Sequence, residues 1–388
     1  FNCPAGICAD EEGNLFIADA DNHLVRRIVV RGLTVAAEQD GSAQIDQDVL
    51  GLDSYQNYYF RWLDQAGNVG SEGQGFFCLV DPPTVDFGGA SFDARDTTTL
   101  TALVGTQSDD TTVTIEYSTD PELRNPFVVS TLTDSSSSLT LGSPSGIAVD
   151  NDGNLYLADS DNHRIYKLSP PAGEGSGWTL DQTYGDGTAG FVDSDAANNA
   201  QFDHPTGLAY DASGDSIYVA DELNHCIRRI DSSGNVTTVA GSGIAGFADA
   251  DDATEGQFLF PTGLAILGNT LYVADRGNHR IRAFDVVSGG LSTVAGDGNA
   301  ALLDGAGNTA RFNNPTDVTV NSAGNILVAD RDNHCIRLID LVSGNVTLLA
   351  GSEDAEAGNL DGGSTEAMFY SPSGLAIDSA DNLYVADR

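Results

Sequence analysis

A six-residue pattern, Ala-Asp-x-x-Asn-His, recurs through this chain, from its third copy on at a nearly constant spacing, and a period of this length constrains the fold more than any local propensity. It stands at Ala18-Asp19-Ala20-Asp21-Asn22-His23, Ala158-Asp159-Ser160-Asp161-Asn162-His163, Ala220-Asp221-Glu222-Leu223-Asn224-His225, Ala274-Asp275-Arg276-Gly277-Asn278-His279 and Ala329-Asp330-Arg331-Asp332-Asn333-His334. A sixth copy opens at Ala386-Asp387-Arg388. Each copy follows a Pro-x-Gly lead-in: Pro4-Ala5-Gly6, Pro144-Ser145-Gly146, Pro205-Thr206-Gly207, Pro261-Thr262-Gly263 and Pro372-Ser373-Gly374, with Pro315-Thr316-Asp317 departing at the Gly. The aspartates Asp221, Asp275, Asp330 and Asp387 are 54, 55 and 57 residues apart, which is room for four short strands and a connecting loop. The third unit shows the division: Gly207 to Tyr210, Ile217 to Asp221, Cys226 to Asp231 and Val236 to Ala240 are β-rich runs separated by Gly- and Asn-containing turns. With 44 Gly, a single Met and little helical signal, the chain is expected to be all-β.

The triplet Asn22-His23-Leu24, replaced by Asn-His-Cys or Asn-His-Arg in later copies, sits between Ala-Asp and a hydrophobic-Arg pair. In this the chain resembles the NHL-repeat family over residues 1 to 31 and about 142 to 388. The resemblance implies a six-bladed β-propeller, its inner strands starting near Ile7, Ile147, Leu208, Leu264, Val318 and Leu375, its sixth blade cut short at Arg388. Residues 1–31 are then the first blade and 139–388 blades two to six, the last incomplete.

The first two motif copies are 140 residues apart, so a segment is inserted between them. Residues 32–80, with Tyr58-Tyr59-Phe60-Arg61 running to Ala66-Gly67-Asn68, resemble the closing half of a fibronectin type III-like or bacterial immunoglobulin-like sandwich. Residues 81–138, with Pro82-Pro83-Thr84-Val85 and Thr112 to Tyr117, resemble the opening half and end in a Ser-rich linker, Ser135 to Ser138. One circularly permuted sandwich with Tyr59, Trp62, Leu100 and Tyr117 in its core is one explanation; two half-domains brought together by a faulty join is the other, and is preferred. A sequence that starts and stops inside repeat units is expected to be part of a longer protein.

Fifty-seven acidic residues against 17 basic ones give a formal charge of −40, a field that repels phosphate backbones and anionic lipid, so nucleic acid is excluded as a partner. No apolar run approaches the length of a membrane span, so direct membrane insertion is not expected. The five cysteines include no CxxC pair, and Cys226 and Cys335 hold one repeat position in blades that are not neighbours, so they are not expected to form a disulfide. The sequons Asn235-Val236-Thr237 and Asn345-Val346-Thr347 read as ordinary hairpin turns.

A side chain required in every blade serves the blade. The motif residues Asp19, Asn22, His23, Asp159, Asn162, His163, Asp221, Asn224, His225, Asp275, Asn278, His279, Asp330, Asn333 and His334 are therefore expected to satisfy backbone groups at strand ends. Arg26, Arg228, Arg282 and Arg337 recur seven residues after the Asp and are expected to pair with it, Tyr166 making the second unit the odd one. His204 departs from the repeat, standing where other units carry Cys3, Phe260, Asn314 or Ser371, and is a candidate ligand contact. Four antiparallel strands put the motif turns and the long connections 185–203, 241–260, 296–314 and 351–371 on one side, and long loops on one rim are where binding concentrates. Their acidic residues Asp186, Asp193, Asp195, Asp249, Asp251, Asp252, Asp304, Glu353, Asp354 and Asp361 either are solvated charge or take weak calcium or a cationic partner.

The expected function is a non-catalytic binding module, its loop face recognising a protein or glycan, in an extracellular or cell-surface protein, with no cofactor beyond that weak calcium. The alternative is a metal-dependent enzyme resembling the propeller-shaped peptide-amidating lyases and lactonases, which needs His or carboxylate side chains from several blades converging on the channel.

Overall fold

The computed structural model describes residues 3–10, 14–28, 139–170, 178–378 and 381–388 in full, and from 29 to 131 the backbone of the strands alone. The chain divides into two compact units, one made of Phe1–Arg27, Thr131–Pro171 and Gly177–Arg388, the other of Ile28–Ser130 and Ala172–Ser176.

The first unit is an all-β propeller. Its sheets are Pro4–Ala9, Leu15–Asp19 and Leu24–Val30; Pro144–Val149, Leu155–Asp159, Arg164–Ser169 and Thr179–Tyr184; Pro205–Asp211, Ser216–Asp221, Cys226–Ile230 and Val236–Ala240; Pro261–Leu267, Thr270–Asp275, Arg280–Asp285 and Leu291–Ala295; and Pro315–Val320, Ile326–Asp330, Cys335–Asp340 and Asn345–Gly351, with Gly305–Ala306 added outside. In the fully described blades strand follows strand, and neighbouring strands run antiparallel. Among the described residues the expectation of six blades is corrected to five: the sixth repeat contributes a two-stranded sheet, Gly374–Ile377 with Leu383–Ala386.

Second strands such as Leu155–Asp159 and Ser216–Asp221 are buried at every position. They read as unbroken apolar runs because each blade packs a neighbour on both faces. Ala158 and Tyr156 turn toward Leu208, Ile217 and Val219 of the next blade, while Leu155 and Leu157 turn back toward Phe16 and Val25 of the previous one. Phe202, Phe258 and Phe312, at the ends of the long connections, are completely buried between blades.

The Pro-x-Gly lead-in is explained at the hub. A Cβ on Gly6, Gly146 or Gly207 would lie 2.1, 1.9 or 2.1 Å from the carbonyl oxygen of Ser145, Thr206 or Thr262 on the next inner strand, closer than any side chain allows. Asp317, in the Gly position, reaches the backbone N–H of Leu375 on the following inner strand at 2.7 Å. Ser373 Oγ then donates to the Pro4 carbonyl at 2.6 Å, closing the circle of inner strands.

In the second unit Asn57–Leu63 pairs with Gly75–Cys78 on one side and with Thr112–Ser118 on the other, Thr112–Ser118 pairs in turn with Gly32–Ala36, and Ser42–Asp46 pairs with Thr99–Leu103. Nothing in these two sheets marks them as a fibronectin-like or immunoglobulin-like sandwich, and the side chains of Tyr59, Trp62, Leu100 and Tyr117 lie outside the described residues. Among the described residues no helix is long and apolar enough to cross a membrane.

Candidate functional site

The motif forms a latch between blades. Asp19, Asp159, Asp221, Asp275 and Asp330 end the second strands with fully buried side chains. Each accepts from the side-chain amide three residues on, Asn22, Asn162, Asn224, Asn278 or Asn333, at 2.8 to 2.9 Å. The same amide nitrogens of Asn224, Asn278 and Asn333 donate to the carbonyls of Gly190, Gly246 and Ala301 in the long connections. The other Asp oxygen accepts the backbone N–H of Asp203, Leu259 or Asn313, just before the next step of the chain toward the hub.

The histidines close each turn in the left-handed region, at φ between 52° and 55°. Nδ1 of His163, His225, His279 and His334 accepts the backbone N–H of His204, Phe260, Asn314 and Ser371, each the residue before the next lead-in Pro, at 3.0 to 3.2 Å. A ring nitrogen that accepts is unprotonated, so these four carry their proton on Nε2. His23 differs, its Nδ1 facing the carbonyl of Gly142, to which it donates. Burial pulls the pKa of His225 and His279 below 6.5, favouring the neutral ring the latch uses.

The arginines complete the network. Arg228 donates to Asp221 at 2.9 Å, to the carbonyls of Gln201 and Val192, and to Asp193 at 2.7 Å, while stacked between Phe191 and Phe202. Arg282 repeats this with Asp275, Gln257, Ala248 and Asp249, and Arg337 with Asp330, Arg311, Leu303 and Asp304. Burial raises Asp221 and Asp330 to about 6 against the opposing pull of their donors, and they stay ionised at neutral pH. In the second blade Tyr166 is buried at the Arg position, and Asp159 takes the backbone N–H groups of Gly142 and Ser143.

The acidic loop residues therefore fall into three groups. Asp193, Asp249 and Asp304 are half-exposed but belong to the arginine network. Asp186 accepts from Thr188 and Gln201, and Asp252 from Thr254, bonds that hold both carboxyls below the ordinary range. Asp195, Asp251, Glu353, Asp354 and Asp361 are exposed. His204 packs edge-on against His163 at 4.9 Å and shares a 2.8 Å hydrogen bond with Asp203. His163, Asp203 and His204 lie close enough to suggest a metal centre, yet the Nδ1 lone pair of His163 is already taken by the His204 N–H. The cysteines Cys3, Cys8, Cys226 and Cys335 are free thiols.

A channel of about 670 Å³ runs inside the inner strands. Asp317 lines it, raised to about 7 by its enclosure and restrained by the N–H groups of Leu375 and Val318. Sequence reasoning missed one position here. The third motif residue opens each turn, and Ala20, Glu222, Arg276, Arg331 and Arg388 border the channel. The repeat register, which puts the ends of second strands beside the starts of the inner ones, is the signal that finds them.

Residues 184–388 match the sequence profile of the teneurin NHL domain, and residues 1–28 and 141–168 match the NHL repeat. The chain is 29% identical over 258 residues to protein SUPPRESSOR OF QUENCHING 1, chloroplastic, of Arabidopsis thaliana, covering 63% of this chain and 24% of that protein. It is 31% identical over 144 residues to mouse peptidyl-glycine alpha-amidating monooxygenase, covering 36% of this chain and 13% of that protein. The chain thus spans about a quarter or less of the length of these two relatives. In fold it is similar to an auxiliary nutrient binding protein from Bacteroides thetaiotaomicron, with a TM-score of 0.51, 18% identity, and coverage of 69% of this chain and 60% of that one.

Proposed function

This chain belongs to the teneurin NHL-domain family, and from that premise we propose that it is a non-catalytic binding module whose long-loop face recognises a protein or glycan, in an extracellular or cell-surface protein. The observation that carries this reading is the apolar surface of the long connections. Ile244, Leu360 and Tyr370 are 62, 54 and 54% exposed, and Phe191, Phe247 and Leu303 are exposed beside them in sequence position. Exposed apolar residues gathered on loops held by a rigid scaffold mark interaction surfaces. The same reading takes Gly374–Ile377 and Leu383–Ala386 as the start of a sixth blade, since Ser373 already bonds to Pro4.

The amidating relative keeps a metal-dependent enzyme in view as the alternative. Against it stands the channel lining, which among the described residues includes Asp317, Asp21 and Glu222 but no histidine, whereas the motif histidines serve the latch. The test is a screen of the purified protein on a glycan array and a panel of extracellular protein domains. Any ligand found should be lost by the triple variant Ile244→Ser/Leu360→Ser/Tyr370→Ser and kept by Val287→Ser/Val342→Ser, which alters the short-turn side. Equal binding by both variants, or hydrolase or lyase activity that depends on added zinc or calcium, would overturn the reading.

A further inference from the structure

We propose that the mouth of the channel binds an oxyanion, the carboxylate or phosphate group of a small molecule, on Arg331 and Arg388 with Arg276 beside them. The proposal goes beyond the loop-face reading and does not depend on it.

The placement follows from the topology. The third motif residue stands at the end of each second strand, next to the start of an inner strand, and three successive repeats supply Arg276, Arg331 and Arg388 there. All three border the one channel.

Their donors are not consumed by the fold. Arg228, Arg282 and Arg337 each spend four hydrogen bonds within the fold, on a buried Asp, two backbone carbonyls and a half-exposed Asp. Arg276 shares one donor with Glu222 and lies over the Phe260 ring at 5.5 Å, which fixes its plane. Among the described residues the Arg331 guanidinium has only Asp332 at 3.7 Å, beyond hydrogen-bond range. The exposed Arg388 guanidinium has no hydrogen bond among the described residues, and desolvation together with the repulsion of Arg331 and Arg276 holds its pKa below 12.5 against the pull of Cys3 and Asp21. Like charges held together at a partly enclosed site are relieved by an anion between them, and the planar guanidinium fork suits carboxylate and phosphate oxygens.

The nearby acids define where the anion sits. Glu222 is engaged by Arg276, Asp21 lies near Cys3 and Arg388, and Asp332 also accepts from Asn314. Asp317 stands on the inner-strand wall with both oxygens taken by the backbone N–H groups of Val318 and Leu375 and offers an anion no donor, whereas the guanidinium groups stand at the mouth. The channel volume is that of small-molecule sites in general.

Isothermal titration with sodium phosphate and, separately, sodium succinate, each against sodium chloride of equal ionic strength, tests this. We expect saturable binding of at least one of the two, and the arm that responds identifies the oxyanion. Arg331→Gln and Arg388→Gln should each weaken it by about tenfold, and Glu222→Gln should tighten it by releasing Arg276. Thermal melts of the unliganded variants confirm that they are folded. No saturable heat with either anion, or undiminished binding in the folded Arg331→Gln/Arg388→Gln double variant, overturns the proposal.

Discussion

Replacing Arg282 with Met keeps an aliphatic side chain and removes the guanidinium that lies over the Phe247 and Phe258 rings, and with it four hydrogen bonds: to Gln257 O at 3.0 Å, Asp275 at 2.8 Å, Ala248 O at 2.8 Å and Asp249 at 2.6 Å. Asp249 is half-exposed and water can replace its partner. Asp275 is fully buried and keeps only Asn278 and the Leu259 N–H, so its charge is left without a counter-charge. Removing one partner of a buried ion pair costs about 3–5 kcal/mol. For a domain of this size each kcal/mol shifts the melting temperature by about 2–4 °C, so circular-dichroism melts should fall by roughly 6–20 °C. Asp249→Asn, which leaves the buried pair intact, should cost only about 1 kcal/mol. The pH dependence supplies a second check. Asp275 already titrates above 3.8 because burial outweighs Arg282, and without Arg282 it rises further. A carboxyl whose folded pKa exceeds its unfolded pKa gives stability that is full at acid pH and is lost as pH rises through the folded value, so the deficit of the variant should grow from acid to neutral pH. A variant that melts within about 2 °C of the parent at neutral pH would refute the reasoning.

Two further outcomes follow from the hub and the latch. Gly207→Ala would bring a Cβ to 2.1 Å from the Thr262 carbonyl oxygen, backbone that cannot step aside without moving a neighbouring blade, and should destabilise by about 2–4 kcal/mol in denaturant titrations; a loss under about 0.5 kcal/mol would contradict the close approach of inner strands. His279 has a folded pKa below its ordinary 6.5 because burial opposes protonation, so its contribution is full above 6.5 and is lost as pH falls below it. The advantage of the parent over His279→Asn, measured by melting, should therefore shrink in acid, and an advantage that grows there would be inconsistent with an accepting Nδ1.

Much of the latch could be read from the repeat alone, because Asp, Asn and Arg at fixed offsets sit on one strand, its turn and the next strand. Period and register place Asp221, Asn224 and Arg228 together without any long-range knowledge. The third partner was not legible. Asp193, Asp249 and Asp304 look like loose rim charge in sequence, since nothing local says that the connection folds back across the outer strand of the next blade, as it does where Ser194 bridges Val236, Ala250 bridges Leu291 and Gly305 pairs with Val346. His204 stood out for its imidazole, yet the atom the latch uses is its backbone N–H, which any residue at that place supplies, as Phe260, Asn314 and Ser371 do. The arginines at the channel mouth escaped attention because their motif position also carries Ala20, Ser160 and Glu222, so no constant residue type flagged it.

If the motif histidines hold blades together and leave binding to the loops, the protonation state of each imidazole nitrogen shows it most directly. In spectra of protein labelled with ¹⁵N-histidine at neutral pH, His163, His225, His279 and His334 should be neutral with the proton on Nε2, while His23 and His204, whose Nδ1 faces the Gly142 carbonyl and the Asp203 carboxylate, should be protonated at Nδ1. Added zinc or calcium should leave the first four unchanged. Protonation at Nδ1 in those four, or metal-induced shifts in two or more of them at one stoichiometric endpoint, would mean that the repeat builds a metal centre and that the binding-module reading is wrong.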